Sequence, residues 1–447
     1  MDNATLFAKH IKHVQGIYER ALLDLNQEKG GPNVEAVLIH SGSEDHYFGD
    51  DRGIVFEAFG HFRHWVPLNR PDQMVLVVPG SKPVFFQVVP PDFWYEQTIN
   101  AESWWTDCFD IVQLDDPAKV LDHLPAARRI AFLGQNTAFA SNMSLPAFLH
   151  NERHLTNYLD YYRGMKTEYE IAQLKEANRL AMIGHEAARQ SFLKGGSEWD
   201  IHLAFLNANQ MLETDSPYTN IVGLDEKSAI LHYQNKRRCD GRQAKVMLID
   251  AGVKVNGYGS DITRTYVRDD AHPTFRSLLA KMEQLELDLV EMAVIDTPYV
   301  KIHETAHARI LKMLQEEGVL KGSEELLKKK KASSLFFPHG IGHLLGIQVH
   351  DVGGFFADDH GKLAPPPEDH KFLRLNRTMK KDMVFTVEPG LYFIPVLLDP
   401  QRKGELADSI NWSLVDELIP FGGIRIEDNI VVTDAAPLNL TRSGLCY

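Results

Sequence analysis

Asn256-Gly257, set between two β-prone runs in residues 246–266, restricts this chain more than any other pair of residues. A two-residue type I′ hairpin turn needs positive φ at both central positions, and Asn-Gly meets that demand well. With those two residues as the turn, Gly252 faces Asp261 and Asp250 faces Thr263. Asp250 and Asp261 then project from one face as diagonal neighbours, about 7–8 Å apart. The run before Asp250, Val-Met-Leu-Ile, is apolar and reads as buried. Two carboxylates on such a ribbon require a cation.

A chain of 447 residues predicts two domains. Its 44% hydrophobic and 24% charged residues describe an ordinary globular protein. No apolar run approaches the roughly 18 residues that span a membrane. The first ten residues lack the basic start and apolar core of a secretory signal, so export is not expected. Cys108, Cys239 and Cys446 are odd in number and widely spaced, which predicts free thiols in a reducing, cytoplasmic compartment. A net charge of −14 argues against nucleic-acid and anionic-membrane partners. The basic run Lys328 to Lys331 reads as a solvated helix end.

Residues 4–27 carry Leu6, Phe7, Ile11, Val14 and Ile17 at helical spacing. Strand-like runs at 36–39, 74–78, 84–89 and 130–133 predict a small α/β N-terminal domain over residues 1–159. Between the first two runs, an acidic loop from Glu44 to Arg52 reads as a solvated connection, and the aromatics of 56–65 read as core. Thr167-Glu-Tyr-Glu170 resembles a capping box opening a helix through Arg189, and the second domain is placed at 160–447. Leu278, Met282, Leu285, Leu289 and Met292 form one apolar helical face. Pro365-Pro-Pro367 marks a long surface loop.

Four more segments carry groups suited to a metal or its substrate. Pro338-His-Gly-Ile-Gly-His343 leads on to His350, and Glu388 ends an apolar run before Pro-Gly. In Gly422-Gly-Ile-Arg-Ile-Glu427-Asp-Asn, strand alternation sends Arg425, Glu427 and Asn429 to one face. Ala229-Ile-Leu-His-Tyr233 is the fourth.

In order, spacing and flanking residues, these segments resemble the five-ligand dinuclear site of the pita-bread metallopeptidases. That family includes methionine aminopeptidases, aminopeptidase P, prolidases and the metal-free creatinase. Pro217-Tyr218, Ile230-Leu-His-Tyr233, Val349-His-Asp-Val-Gly-Gly354 and Pro420-Phe-Gly-Gly-Ile-Arg425 are closer to bacterial Xaa-Pro dipeptidases and organophosphorus acid anhydrolases. The resemblance implies an α+β pita-bread C-terminal domain. It also implies that Asp250 binds one metal, Asp261 and Glu427 bridge two, and His343 with Glu388 completes the second. Four carboxylates and one imidazole favour a hard ion, so two Mn²⁺ are expected, with Co²⁺ able to substitute. A metal-activated hydroxide would then attack the peptide carbonyl.

The same resemblance gives His232, His339 and His350 to hydrogen bonding and proton delivery, with Glu388 as a further proton relay. His232, His350 and Arg425 would serve the proline end, Arg425 binding the substrate carboxylate bidentately. Tyr218 and Tyr299 are candidate pocket walls. Asp51 of a second subunit would meet the substrate amine, which makes a homodimer part of the expectation. The implied activity is hydrolysis of Xaa-Pro dipeptides, with organophosphate triesters as a side substrate. Aminopeptidase P activity on longer peptides and a non-catalytic, partner-binding role are the alternatives. His303-Glu-Thr-Ala-His307 fits the zincin pattern but lacks a third zinc ligand in sequence, and reads as part of a supporting helix.

Overall fold

The helix Asn3–Gln27 buries Phe7, Ile11, Val14 and Ile17, as its spacing requires. The computed structural model describes residues 1–27, 31–97, 103–126 and 129–443, so Cys446 lies outside the described residues. The chain forms two units, residues 1–172 with 358–362, and residues 173–357 with 363–447. Residues 160–172, placed by the sequence at the head of the second domain, group with the first unit.

In the first unit, β1 (Ala36–His40), β2 (Met74–Val77), β3 (Val84–Val88), β4 (Asp110–Leu114) and β5 (Ile130–Leu133) form one sheet in the order β4-β3-β2-β1-β5. β1 runs antiparallel to β2 and parallel to β5. β4 is absent from the sequence reading because it is a partly exposed edge strand, Asp-Ile-Val-Gln-Leu, with no apolar run to mark it. Leu38, Met74, Leu76, Phe86 and Phe132 build the core against it. The loop that holds Asp51 is exposed and closed on itself: the Tyr47 N–H donates to the Arg52 carbonyl at 3.1 Å and the Ile54 N–H to the Asp45 carbonyl at 2.8 Å. Phe62 and Trp65 in the helix Gly60–Trp65 are buried. The helix Glu168–Leu193 starts on the expected capping box, in which the Thr167 N–H donates to Glu170 Oε2 at 2.8 Å.

The second unit contains β6 (Ile221–Leu224), β7 (Val246–Asp250), β8 (Lys254–Val255), β9 (Tyr258–Gly259) and β10 (Thr263–Val267), with β7 between β6 and β10. Asn256 (φ +47°) and Gly257 (φ +98°) both adopt the conformation a type I′ turn demands. Lys254 pairs with Gly259 and Asp250 with Thr263, so the register set at the turn runs unbroken to the carboxylate. Phe192, Ile201, Phe205, Val222, Met247 and Ile249 pack beneath this sheet.

Further along, β11 (Val384–Val387), β12 (Gly390–Tyr392), β13 (Gly423–Arg425), β14 (Asp428–Val431) and β15 (Leu438–Asn439) form the pairs β11·β14, β14·β15 and β12·β13. Side chains stitch β10 to β13. Thr265 Oγ1 accepts the Arg425 N–H at 3.0 Å and donates to the Arg425 carbonyl at 3.0 Å. The Asp261 N–H donates to Asn429 Oδ1 at 3.1 Å. Behind them, buried Arg264 donates to the Glu427 carbonyl at 2.8 Å and to Asp428 Oδ1 at 2.6 Å. Among the described residues, no helix is long and apolar enough to cross a membrane.

Candidate active site

A cavity of ≈ 860 Å³ in the second unit is lined by Asp250, Asp261, His343, Glu388 and Glu427, together with His232, His339, His350 and Arg425. Asp250 ends β7, Asp261 lies between β9 and β10, Glu388 follows β11, and Glu427 sits between β13 and β14. Strand ends thus bring together residues from distant parts of the chain. His343 Nε2 lies 3.3 Å from Asp261 Oδ2 and 3.8 Å from Glu388 Oε1. One ligand atom each from Asp261, His343 and Glu427 falls within 4.8 Å of the others.

Local contacts prepare these atoms. His343 Nδ1 is 3.0 Å from the Leu344 carbonyl, which only accepts, so Nδ1 carries a proton and Nε2 is turned to the carboxylates, where it donates to Asp261 in the metal-free protein and would offer its lone pair to a bound cation. Gly342, with φ +154°, leads into that histidine; a Cβ there would meet the Thr386 carbonyl at 2.2 Å and the Tyr299 hydroxyl at 2.3 Å. Thr263, opposite Asp250 in the hairpin, donates its hydroxyl to Glu427 Oε2 at 2.7 Å.

The electrostatics favour a cation. Burial, then repulsion from Asp261, Glu388 and Asp250, pushes the Glu427 carboxyl well above its ordinary value. Burial likewise pushes Glu388 up to about 7, despite attraction from His343 and Arg425. Asp250 is raised by burial, which outweighs the Arg425 charge. Asp261 alone is lowered, because the His343 hydrogen bond overcomes its burial. Among the described residues, Asp250 Oδ1 has no hydrogen-bond partner although it is buried. An orphaned carboxylate oxygen and a crowd of carboxyls around one imidazole nitrogen are the donor set of a divalent-metal site.

The other expected residues divide. His350 lies on the cavity wall with its ring perpendicular to that of His343, centroids 4.3 Å apart. Its Nδ1 is 3.3 Å from Arg374 Nη1; a guanidinium only donates, so the His350 proton sits on Nε2. His232 is exposed on the cavity wall. His339 Nδ1 donates to the Gly340 carbonyl at 2.8 Å, and its Nε2 accepts from the Tyr392 hydroxyl at 2.8 Å.

Arg425 lines the cavity, but its fork is engaged: Nη2 donates to Asp250 Oδ2 at 2.7 Å, Nη1 to Tyr392 at 3.0 Å and Nε to Thr263 at 3.0 Å. It is therefore not the free bidentate clamp expected from the sequence. Arg374 and Lys371 line the cavity as further cations and were missed, because an irregular loop gives no periodic signal. Tyr218 does not line the cavity; its hydroxyl accepts the Ile262 N–H at 3.4 Å, and burial together with the nearby Asp250, Asp261 and Glu427 charges pushes it up. Tyr299 is no pocket wall; it is fully buried and donates to the Thr386 carbonyl at 2.8 Å, behind His343. Asp51 lies on the exposed loop of the first unit.

Residues 172–434 match the model of metallopeptidase family M24, and residues 5–161 match the Xaa-Pro dipeptidase N-terminal domain. The chain belongs to metallopeptidase family M24. The second unit is accordingly its pita-bread domain, and the M24 match takes in every cavity residue named above. This M24 chain is 42% identical to a Marinobacter nauticus protein named Xaa-Pro dipeptidase, over 97% of this chain and 96% of that one. It is 39% identical to the Xaa-Pro dipeptidase of Pseudoalteromonas atlantica over 98% of both. Escherichia coli aminopeptidase P with the inhibitor Pro-Leu shares the fold at 22% identity and a TM-score of 0.70, over 96% of this chain and 95% of that one. Pseudomonas aeruginosa aminopeptidase PepP does so at 20% identity and a TM-score of 0.73, over 97% and 95%.

Proposed function

We propose that the chain is a metal-dependent Xaa-Pro dipeptidase that cleaves the bond before a C-terminal proline. The observation that carries the reading is the convergence of four carboxylates and one imidazole in one cavity, on a chain whose full-length relatives are named Xaa-Pro dipeptidase. Asp250, Asp261, His343, Glu388 and Glu427 would hold two Mn²⁺, with Co²⁺ as substitute, because the set is rich in oxygen. Bound ions supply Lewis acidity and acidify water near neutral pH.

The chain's own residues do the rest. Hydrolysis puts an oxygen on the scissile carbonyl carbon and a proton on the prolyl nitrogen. Glu388, on the cavity wall 3.8 Å from His343, suits acceptance of a proton from the attacking water and its return to the nitrogen. His350 Nε2–H and His232 are donors for the oxygen that gains charge. Arg374, beside His350, and Lys371 give the substrate carboxylate its cationic partner. Phe355, Phe372 and Leu373 supply apolar wall against the proline ring.

The enzyme is also read as a cytoplasmic homodimer in which Asp51 of a second copy binds the substrate amine. The Asp51 loop exposes Phe48 and Val55 to solvent, an arrangement that suits a partner surface. Cys108 and Cys239 are free thiols, as a reducing compartment requires. Phosphotriester hydrolysis is a side activity on the same reading.

The test compares a Xaa-Pro dipeptide with a Xaa-Pro-Xaa tripeptide in Mn²⁺, with Asp250→Asn alongside. Dipeptide turnover that disappears with the metal in Asp250→Asn supports the assignment. Cleavage of the tripeptide alone would make it an aminopeptidase P, and absence of both bound ion and turnover would make it a non-catalytic member.

A further inference from the structure

The short motif His303-Glu-Thr-Ala-His307 has a partner that its sequence neighbourhood does not show. The helix Val300–Glu316 places His303 and His307 one turn apart, and His370 enters from the turn Glu368–His370. His303 Nε2 lies 3.1 Å from His370 Nδ1 and 3.2 Å from His307 Nε2. Ligand atoms of all three imidazoles fall within 4.8 Å of one another. Glu304 is exposed and bonded to Lys301 at 2.7 Å, so the zincin base points away from the cluster.

Protons alone satisfy this cluster poorly. His303 Nε2 faces two ring nitrogens at once, whereas its buried Nδ1 has no hydrogen-bond partner among the described residues. A protonated Nε2 can serve only one neighbour, and a bare one leaves an Nδ1–H without an acceptor. Burial pushes His303 down to about 2 and His307 to about 4, so both rings are neutral at physiological pH. A tetrahedral Zn²⁺ with Zn–N near 2.0–2.1 Å separates adjacent ligand nitrogens by about 3.3–3.4 Å. The two observed separations, 3.1 and 3.2 Å, lie close to that edge length.

We propose that His303, His307 and His370 form a second metal site, outside the catalytic cavity, for a borderline divalent cation of the zinc type. Three imidazoles without a carboxylate or thiolate select Zn²⁺, Ni²⁺ or Cu²⁺ over the Mn²⁺ favoured by an oxygen-rich set. Half-buried His307 and His370 leave a fourth position open to water. Phe337 packs on His303 and His307, with centroids 5.6 and 4.8 Å away, and on His339 of the catalytic cavity at 4.8 Å. A single aromatic ring thus separates the two sites.

The test titrates Mn²⁺-loaded full-length protein with Zn²⁺ against a chromophoric chelator, then counts both metals by mass spectrometry. One zinc per chain in addition to retained Mn²⁺ is expected. His370→Ala should weaken that zinc by about 100-fold or more, since even outer partners of metal ligands contribute roughly 10–100-fold. Because His370 is outside the catalytic cavity, the same variant should keep dipeptide turnover in Mn²⁺, which separates this site from the dipeptidase reading. In an Asp261→Asn/Glu427→Gln chain, one Co²⁺ should give the intense visible absorption of a four-coordinate nitrogen site. Zinc that binds only by displacing Mn²⁺, or binding unchanged in both His370→Ala and His307→Ala, would overturn the proposal.

Discussion

Arg425 Nη2 donates to Asp250 Oδ2 at 2.7 Å, leaving the other oxygen of that carboxylate buried and without a partner among the described residues. The guanidinium orients a carboxylate proposed as a metal ligand, and its remaining nitrogens are spent on Tyr392 and Thr263. Lysine cannot reproduce three directed contacts. Arg425→Lys should lower kcat for a Xaa-Pro dipeptide by roughly 100-fold, about 2.7 kcal/mol, with little change in KM. Arg374→Ala should chiefly raise KM. Steady-state kinetics on both variants checks the division; the reverse pattern would return the substrate carboxylate to Arg425.

The raised carboxyl of Glu388 makes the metal-free protein sensitive to pH. Unfolded chain releases this proton near the ordinary value of 4.5, whereas the folded protein holds it to about 7. Folded protein therefore binds more protons across that window, and stability falls as pH rises through it. Divalent metal should displace the proton and reverse the trend. Melting temperatures from pH 4.5 to 7.5, with chelator and with Mn²⁺, should diverge as pH increases.

Tyr392 joins Arg425 to His339 through one hydroxyl. Removing it leaves a guanidinium N–H and a ring nitrogen without their partner, at a cost of about 1–3 kcal/mol. Tyr392→Phe should therefore lower kcat by about tenfold or more. Metal content should stay intact, since no proposed ligand is touched; metal analysis beside the kinetics decides.

Glu198 holds the segment that presents His232. Its buried carboxylate accepts from the Tyr233 hydroxyl at 2.9 Å, the Arg237 N–H at 2.7 Å and the Leu224 N–H at 3.1 Å. Glu198→Ala leaves these donors, and the Arg237 charge, without their acceptor. A loss of about 3–5 kcal/mol is expected from urea unfolding.

Local sequence made the hairpin legible because a turn dictates its own register: Asn256 and Gly257 fixed the pairing of Asp250 with Thr263 before any tertiary contact was considered. The long helices were equally readable from their apolar faces. The role of Arg425 was not, since its partners come from β7, β10 and β12. Tyr392 becomes its neighbour only once β12 pairs with β13. Arg374 and His370 arrive on irregular segments whose sequence has no period to read. Tyr299 shows the opposite error, a residue near the site in space whose hydroxyl is turned to the backbone.

The five proposed ligands are spread from Asp250 to Glu427, and β10 meets β13 through threonine side chains. During synthesis, the hairpin is made long before the strand that supplies Glu427. The proposed ligand set is complete only once that strand has been made. Loading of a metal held by all five would therefore come late, and a chain terminated before Glu427 would lack one of the proposed ligands.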